Sequence, residues 1–466
     1  MRGPWRSSQP LWVVGAPRRA HETPLTGACQ PMQPDDPICP KDPERVGGAQ
    51  RGSLPPCIST ANPQARGDQT ARREGKWRSS RHGHTTALLR PLKLLAGRQD
   101  VPGDGYERMS MDPQVPTARA VEGEWPPADL EHLGRCPACG GEPGTTRFAG
   151  LEDKAFRVAP GRWTLLDCGA CGAAYLDPRP TPASMGRAYA QYYTHGEFVV
   201  DESHFFWCQR DWRSRLKTAY LNSSFGYRFP NALPFGAAVV RRRPDVQLSI
   251  DYSIRHLPAP TGPDAALLDV GCGNGLFVAI ARSLGFRAIG LDPDAKAVEA
   301  GRRNGLDIRE GLLPDESLRE RGLEHVTMSH VLEHLHSPRE AVAQCHDMLK
   351  PGGRIWISQP NLAAIGLQTF GENWRGLEAP RHLSLYDFDS LSRLLAAAGF
   401  EDISLLPAEE AALFYFRQSD AMRRGLDPYA AGEPDPAVDA AAAAANERAR
   451  LDPGLSESLT VTARRR

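Results

Sequence analysis

An apolar run that ends in an acid and then breaks into alternate glycines, Ala265-Ala-Leu-Leu-Asp-Val-Gly-Cys-Gly-Asn-Gly275, constrains this chain more than any other stretch. Such a run reads as a buried parallel strand, a tight turn and the start of a helix. Glycine is needed there because the backbone must turn with positive φ and let a ligand approach without a Cβ in the way. A helix over 275–285 is expected to follow, with Phe277, Ile280, Ala281 and Leu284 on its apolar face. The next strand, Arg287-Ala-Ile-Gly-Leu-Asp292, closes on an acid 19 positions after Gly273. A carboxylate so placed can accept hydrogen bonds from both hydroxyls of a ribose. It could also merely open the turn into a helix over 294–304, but motif and context agree on the ribose. The dinucleotide fingerprint wants its third glycine three positions after the second. Here that position is Leu276, and the glycine stands at 275 instead.

Strand-like and helix-like segments alternate from about Leu257 onward. Strands are expected at 267–270, 288–291, 307–310, 326–330 and 354–358, with Lys350-Pro-Gly-Gly353 as the turn before the fifth. Such alternation argues for a parallel sheet with helices on both faces and a ligand at the strands' carboxyl ends. A helix over 387–398, a strand over 403–406 and a final half-buried strand over 457–464 complete the pattern, and an alanine-rich helical insertion fills 411–450.

Upstream, Cys136-Pro-Ala-Cys139-Gly-Gly and Cys168-Gly-Ala-Cys171-Gly form two matched knuckles. Four thiolates in tetrahedral array suit Zn²⁺ and leave no open position, so a structural site is expected at Cys136, Cys139, Cys168 and Cys171. Free thiols or redox pairs are the bland alternatives. Ten cysteines in 466 residues are too sparse for a disulfide scaffold.

The Gly-x-Gly-x-Gly turn with Asp292 and the paired knuckles resemble the class I S-adenosylmethionine (SAM) dependent methyltransferases, most closely bacterial members with an N-terminal zinc-binding segment, over roughly residues 130–466. The resemblance implies an α/β fold: a Rossmann-like seven-stranded methyltransferase sheet, with a small zinc-ribbon-like segment before it. It places Asp269, Gly271, Gly273 and Gly275 around the methionine part of SAM and Asp292 on the ribose, with Asn274 also among the cofactor-binding residues. Leu312, in Gly311-Leu-Leu313, and His330, at the end of the fourth strand, would lie near adenine. Many members of that group act on sugars or on cell-envelope and secondary-metabolite precursors.

Two clusters could carry the chemistry. His330-Val-Leu-Glu-His334 also matches an inverted zinc-peptidase pattern, but that pattern needs one long helix, and here it abuts a strand. Glu333 and His334 read either as site residues or as a structural pair. The second cluster, Asn373-Trp-Arg-Gly-Leu-Glu-Ala-Pro-Arg-His-Leu383, follows the fifth strand and combines a base, a cation and an aromatic wall in one loop. His382 is expected as general base, with Arg381 and Trp374 positioning the acceptor. The alternative is a loop ordered by its own hydrogen bonds. Strand five ends Ser358-Gln-Pro-Asn361 rather than in the Asn-Pro-Pro-Tyr-like motif that holds a nucleobase amino group, which argues against an exocyclic base target.

Residues 1–120 carry 18 Lys/Arg against 11 Asp/Glu and no sustained periodicity, so a disordered leader is expected over 1–125. A native start at Met109 or Met111 is the other reading. The patch Leu11-Trp-Val-Val14 is too short for a signal peptide and no run is long enough to span a bilayer, which predicts a cytoplasmic protein. The domains expected are a zinc-binding segment over 130–180, a helical connector over 181–256 capping the cofactor mouth, and a catalytic domain over 257–466. The function expected is methyl transfer from SAM to a hydroxyl or carbon of a small-molecule or carbohydrate acceptor. An RNA methyltransferase with a zinc docking module and a non-catalytic SAM-binding protein are the alternatives.

Overall fold

The structure is a computed structural model that describes residues 123–190, 199–318, 320–430 and 435–466. The leader up to residue 122, the alternative starts at Met109 and Met111, and Tyr192 and Tyr193 all lie outside the described residues. Trp125, at the last position of the expected leader, is buried edge-on to Trp163, with ring centroids 5.6 Å apart. Among the described residues, no helix is long and apolar enough to cross a membrane.

The amino-terminal segment is built of short antiparallel strands. β1 (Leu130–Glu131) pairs with β5 (Arg179–Pro180), while β2 (Thr145–Leu151), β3 (Trp163–Asp167) and β4 (Ala174–Leu176) form a meander. Three connector helices follow: α1 (Trp212–Phe225), α2 (Gly236–Val240) and α3 (Pro244–Ser253). Periodicity suggests a helix from Phe205, but α1 starts at Trp212. Asp211 sets that start, because its carboxylate accepts from the backbone of Arg213 at 3.0 Å and of Ser214 at 3.1 Å. The connector packs on the flank of the glycine-turn helix through Leu221, Ile254 and Leu257 against Phe277 and Leu284. Val200, just ahead of it, packs against a cluster that holds Cys272 and Val298.

The catalytic sheet has seven strands. β6 (Ala266–Val270), β7 (Arg287–Asp292), β8 (Asp307–Glu310), β9 (Leu323–Ser329), β10 (Leu349–Pro360), β12 (Phe400–Leu405) and β13 (Ser458–Arg465) stand in the order β12-β13-β10-β9-β6-β7-β8. β6 to β10 are mutually parallel, and β13 inserts antiparallel between β10 and β12. β6 is buried on both faces, as a central parallel strand must be. Its side chains alternate. Leu268 and Val270 join the core that contains α6 (Pro338–Met348) and α8 (Phe388–Ala397), while Leu267 joins the face covered by α4 (Leu276–Ser283). α5 (Ala295–Arg303) lies on that second face through Val298, and β12 is reached from α8. Lys350–Gly353 does not separate helix from strand as expected. The helix ends at Met348, the strand runs on from Leu349, and the irregular residues appear as a register shift against β9.

The amino-terminal segment and the catalytic domain share structure. β11 (Ser384–Leu385), from the loop after β10, adds to the meander beside β4. Cys136, Cys168, Cys171 and Tyr175 belong to the same core as α6 and α8, and Arg393 Nη1 donates to the Cys171 carbonyl at 2.8 Å. The insertion supplies α9 (Ala412–Arg423) and α10 (Pro436–Leu451), which pack over α7 (Ile365–Phe370) and the loop after it.

The strongest tie is Arg381, which is wholly buried. Its guanidinium forks onto both oxygens of Asp153, donates to the Ala188 carbonyl at 2.9 Å and to Glu378 Oε1 at 2.9 Å, and lies 4.4 Å from the Phe156 ring centroid. Burial alone would raise the Asp153 carboxyl, but Arg381 and the backbone donors at Phe156 and Val158 hold it below the usual range. Removing one partner of such a pair leaves an uncompensated buried charge. Asp153→Ala should therefore cost about 3–5 kcal/mol of unfolding free energy in urea melts. Arg417→Ala, at the half-exposed Arg417–Asp439 pair, should cost under about 1 kcal/mol.

Burial pushes His256 and His325 down to about 4. The unfolded chain takes up a proton at each below about pH 6.5 while the folded chain stays neutral, so their stability contribution is complete above that pH and is lost as pH falls toward 4. Stability at pH 5 should be lower than at pH 7.5 by about 2 kcal/mol per residue, and His325→Phe, which keeps the edge-on packing on Phe286, should flatten the slope measured by denaturant melts.

Candidate active site

The glycine turn is tied to the neighbouring strand by two backbone bonds, Gly271 N–H and Cys272 N–H both donating to the Leu291 carbonyl at 2.7 and 3.1 Å. Gly273 and Gly275 are required for different reasons. At Gly273, φ is +55° and an added Cβ would meet nothing within 4 Å, so the bare backbone faces open space. At Gly275, φ is +90° and a Cβ would lie 2.3 Å from Ile308 Cδ1, so the turn packs tightly over β8. α4 begins at the next residue with no side-chain cap, leaving its leading amides to a ligand.

Asp292 closes the floor. Its Oδ2 accepts from Gly273 N–H at 2.7 Å and its Oδ1 from Asp294 N–H at 2.9 Å, and burial raises its pKa. Each carboxylate oxygen keeps a further lone pair for a hydroxyl. Leu312, partly exposed, follows Gly311, whose N–H donates to the Asp292 carbonyl at 3.0 Å. His330 follows β9 at φ +54°, with its N–H on the Ser358 carbonyl at 2.7 Å. Gly271, Gly273, Asn274, Gly275, Asp292, Leu312 and His330 thus gather at one edge of the sheet, beyond the carboxyl ends of β6 to β9. An open backbone, uncapped amides and a carboxylate with spare lone pairs fit a nucleoside carrying an amino-acid tail.

Asp269 departs from its expected place beside the methionine part. It is wholly buried beneath the turn, where Arg255 Nη1 and Thr327 Oγ1 bind its Oδ1, the latter at 2.8 Å. Its Oδ2 has no partner, and burial raises its pKa despite Arg255. The guanidinium of Arg255 lies 3.7 Å from the Phe277 ring centroid. No sequence signal marks Arg255 or Thr327 as its partners.

The loop after β10 corrects a second expectation. Arg381 and Trp374 are both wholly buried with protein partners at their polar groups. Arg381 grips Asp153 and Glu378, and Trp374 Nε1 donates to Glu457 Oε2 at 2.7 Å. Neither side chain can position an acceptor from there. Glu378 sits between Arg375, Arg381 and His382. Burial would raise its pKa, but Arg375, His382 and Arg381 hold it well below the usual range. His382 is buried too, its pKa pushed down to about 4 by that burial, with Nδ1 2.7 Å from the Gly376 carbonyl. A base that meets the acceptor directly must be reached by solvent, and His382 is not.

His334 is partly buried, its Nδ1 2.9 Å from Tyr189 Oη and 3.0 Å from the Arg381 carbonyl, and its ring meets that of His382 edge-on at 4.7 Å. Glu333 is wholly buried beside them. The structure therefore brings His334 and His382 together across 48 residues, an approach that spacing alone does not announce.

The knuckles are closely matched. Cys136 and Cys168 each donate their N–H across the turn, to Gly141 and Ala173, and accept from Gly140 and Gly172, whose φ values are +73° and +83°. Sγ–Sγ separations are 3.7 Å for Cys136–Cys171 and 3.5 Å for Cys139–Cys168, and all four sulfurs lie within 4.8 Å of one another. A tetrahedron with metal–sulfur bonds of about 2.3 Å has edges of about 3.8 Å, so the four sulfurs fit Zn²⁺.

Residues 245–405 match the methyltransferase-domain family. The chain is 29% identical over 173 residues to a ubiquinone biosynthesis O-methyltransferase of Chelativorans sp., covering 34% of this chain and 66% of that protein. It is 32% identical over 142 residues to the Xanthomonas oryzae protein of the same name, covering 28% and 59%. The matched part spans about half to two thirds of the length of such curated relatives. A SAM-dependent methyltransferase from Archaeoglobus fulgidus is 21% identical, with a TM-score of 0.32, over 47% of this chain and 94% of that one. The family match, the strand order and the glycine turn with its acid make this a chain built around a class I S-adenosylmethionine-dependent methyltransferase domain.

Proposed function

We propose that this protein transfers a methyl group from SAM to a hydroxyl or carbon of a small-molecule or carbohydrate acceptor in the cytoplasm. A hydroxyl is favoured because the ubiquinone biosynthesis relatives are named as O-methyltransferases. The observation that carries the reading is the coupling of Gly273 N–H to Asp292 Oδ2 at 2.7 Å, which sets a ribose-binding carboxylate against a bare backbone at the strands' carboxyl ends. SAM would supply an activated methyl on a sulfonium. The protein's part would be to align the acceptor with it and take the acceptor's proton.

The cysteine cluster would hold a structural Zn²⁺. The neighbouring Cys136 and burial push the Cys171 thiol well above its ordinary range, and a divalent cation at the cluster would favour its thiolate. With Cys136, Cys168 and Cys171 part of the catalytic domain's own core, this site would support the fold and do no chemistry. Domain limits at 130–180, 181–256 and 257–466 are retained as organisational units of this reading.

Calorimetry tests the cofactor assignment. SAM should bind the purified chain, and Asp292→Ala should weaken binding by about 10–100-fold through loss of charge-assisted hydrogen bonds. The absence of heat and of thermal protection with folded wild-type protein would overturn it. Metal analysis should find zinc, and Cys136→Ser with Cys171→Ser should release it and lower the melting temperature. Release of S-adenosylhomocysteine with hydroxylated acceptors supports the transferase reading. Salt-sensitive retention on RNA would favour an RNA substrate instead, and SAM binding with no product on any acceptor a binding role.

A further inference from the structure

We propose that Glu333, His334 and His382 form a second metal site, separate from the four cysteines, that takes a divalent transition cation and presents it to the acceptor hydroxyl. One ligand atom from each residue lies within 4.8 Å of the other two. The three come from two stretches that the fold locks together: the Leu332–His334 turn after β9 and the segment before β11, joined by Leu383 N–H donating to the Glu333 carbonyl at 2.6 Å.

Proton placement on the two rings carries the argument. His382 Nδ1 is 2.7 Å from the Gly376 carbonyl and His334 Nδ1 is 3.0 Å from the Arg381 carbonyl. A carbonyl oxygen only accepts, so His382 Nδ1 is assigned the hydrogen and its Nε2 the lone pair; His334 Nδ1 faces both the Arg381 carbonyl and, at 2.9 Å, Tyr189 Oη, and takes the same tautomer when that hydroxyl accepts. Metal-bound histidines are oriented in this way by backbone carbonyls. Glu333 adds a carboxylate with no exposure. His330 Nδ1 stands 3.3 Å from Glu333 Oε1, but neither carboxylate oxygen has an aligned hydrogen-bond donor. The Glu378 carboxylate lies a further 3.6 Å from His382 Nε2 and is already engaged by Arg375 and Arg381. The buried Glu333 carboxylate, with His330 Nδ1 the nearest donor at 3.3 Å, and the two imidazoles converge on one point, and a cation there would give the carboxylate the close partner it lacks.

Two imidazoles and one carboxylate suit Zn²⁺, Mn²⁺, Fe²⁺ or Co²⁺ rather than the hard Mg²⁺, and three protein ligands leave a coordination position open. His334 is only partly buried and His330, which opens the same turn, is 37% exposed, so the open position has a route to the cofactor edge. The catalytic role rests on the methyltransferase reading. A hydroxyl oxygen bound there would release its proton to water and form a bond to the methyl carbon. The carbon–sulfur bond would break with its electron pair staying on sulfur, and the cation would keep its oxidation state.

Cobalt binding tests the site without relying on activity. The full chain, with zinc on its cysteines, is titrated with Co²⁺ and followed by visible absorption. We expect one further equivalent with weak d–d bands and no thiolate charge transfer. Glu333→Gln and His382→Gln should weaken that binding by about 100-fold or more while cysteine-bound zinc is retained. Absence of uptake by wild-type protein overturns the proposal. So does uptake that shows thiolate charge transfer, or equal uptake by both variants. If a variant loses its zinc through misfolding, the wild-type stoichiometry and spectrum decide alone. SAM binding is measured separately by calorimetry, so failure of the cofactor reading and failure of this site are distinguishable.

Discussion

A guanidinium without solvent holds the two halves of this protein in register. Arg381 reaches back 228 residues to Asp153, and its remaining donors meet Glu378 and the Ala188 carbonyl, so one side chain joins the amino-terminal meander, its following turn and the loop after β10. The low dielectric that makes the ungripped charge so unfavourable also makes the gripped one specific, because no displaced arrangement satisfies the same donors. The backbone of the same residue carries the constraint onward. Its carbonyl lies 3.0 Å from His334 Nδ1, and the Gly376 carbonyl lies 2.7 Å from Nδ1 of the neighbouring His382. Architecture and chemistry are therefore coupled through a residue that touches no substrate.

The cofactor edge obeys a different logic. There the backbone is the binding surface, and side chains are removed rather than added. Gly273 leaves space, Gly275 accepts the crowding of β8, and Asp292 holds the turn by the same oxygens it would offer a ribose. A turn held this way is arranged before any ligand arrives, which reduces the ordering that binding must impose.

Features set by local chemistry were legible in the sequence. Glycines that need positive φ, an acid at the end of the next strand and two matched knuckles each require particular residue types at short spacing, and they stand where expected. Features set by distant partners were not legible. Arg381 and Trp374 looked like acceptor contacts because a cation and an aromatic ring in a loop usually face solvent, yet Asp153 and Glu457 draw them inward from far along the chain. Asp269 looked like a cofactor ligand until Arg255 and Thr327 were seen to enclose it. Element ends failed for smaller reasons: Asp211 capped α1 later than its periodicity suggested, and Lys350–Gly353 was absorbed as a bulge.

The two residues of β11 have a consequence out of proportion to their length. Because Ser384 and Leu385 form the edge of the sheet that begins with the knuckles, the meander is finished only after the chain has passed through the whole parallel core up to β10. Neither part could be cut out as an independent unit. A fragment ending after the knuckles would present the open side of β4 to solvent, and one beginning at the connector would leave β11 unpaired. During synthesis the cysteine-bearing half must therefore wait, incompletely paired, for sequence made some 200 residues later.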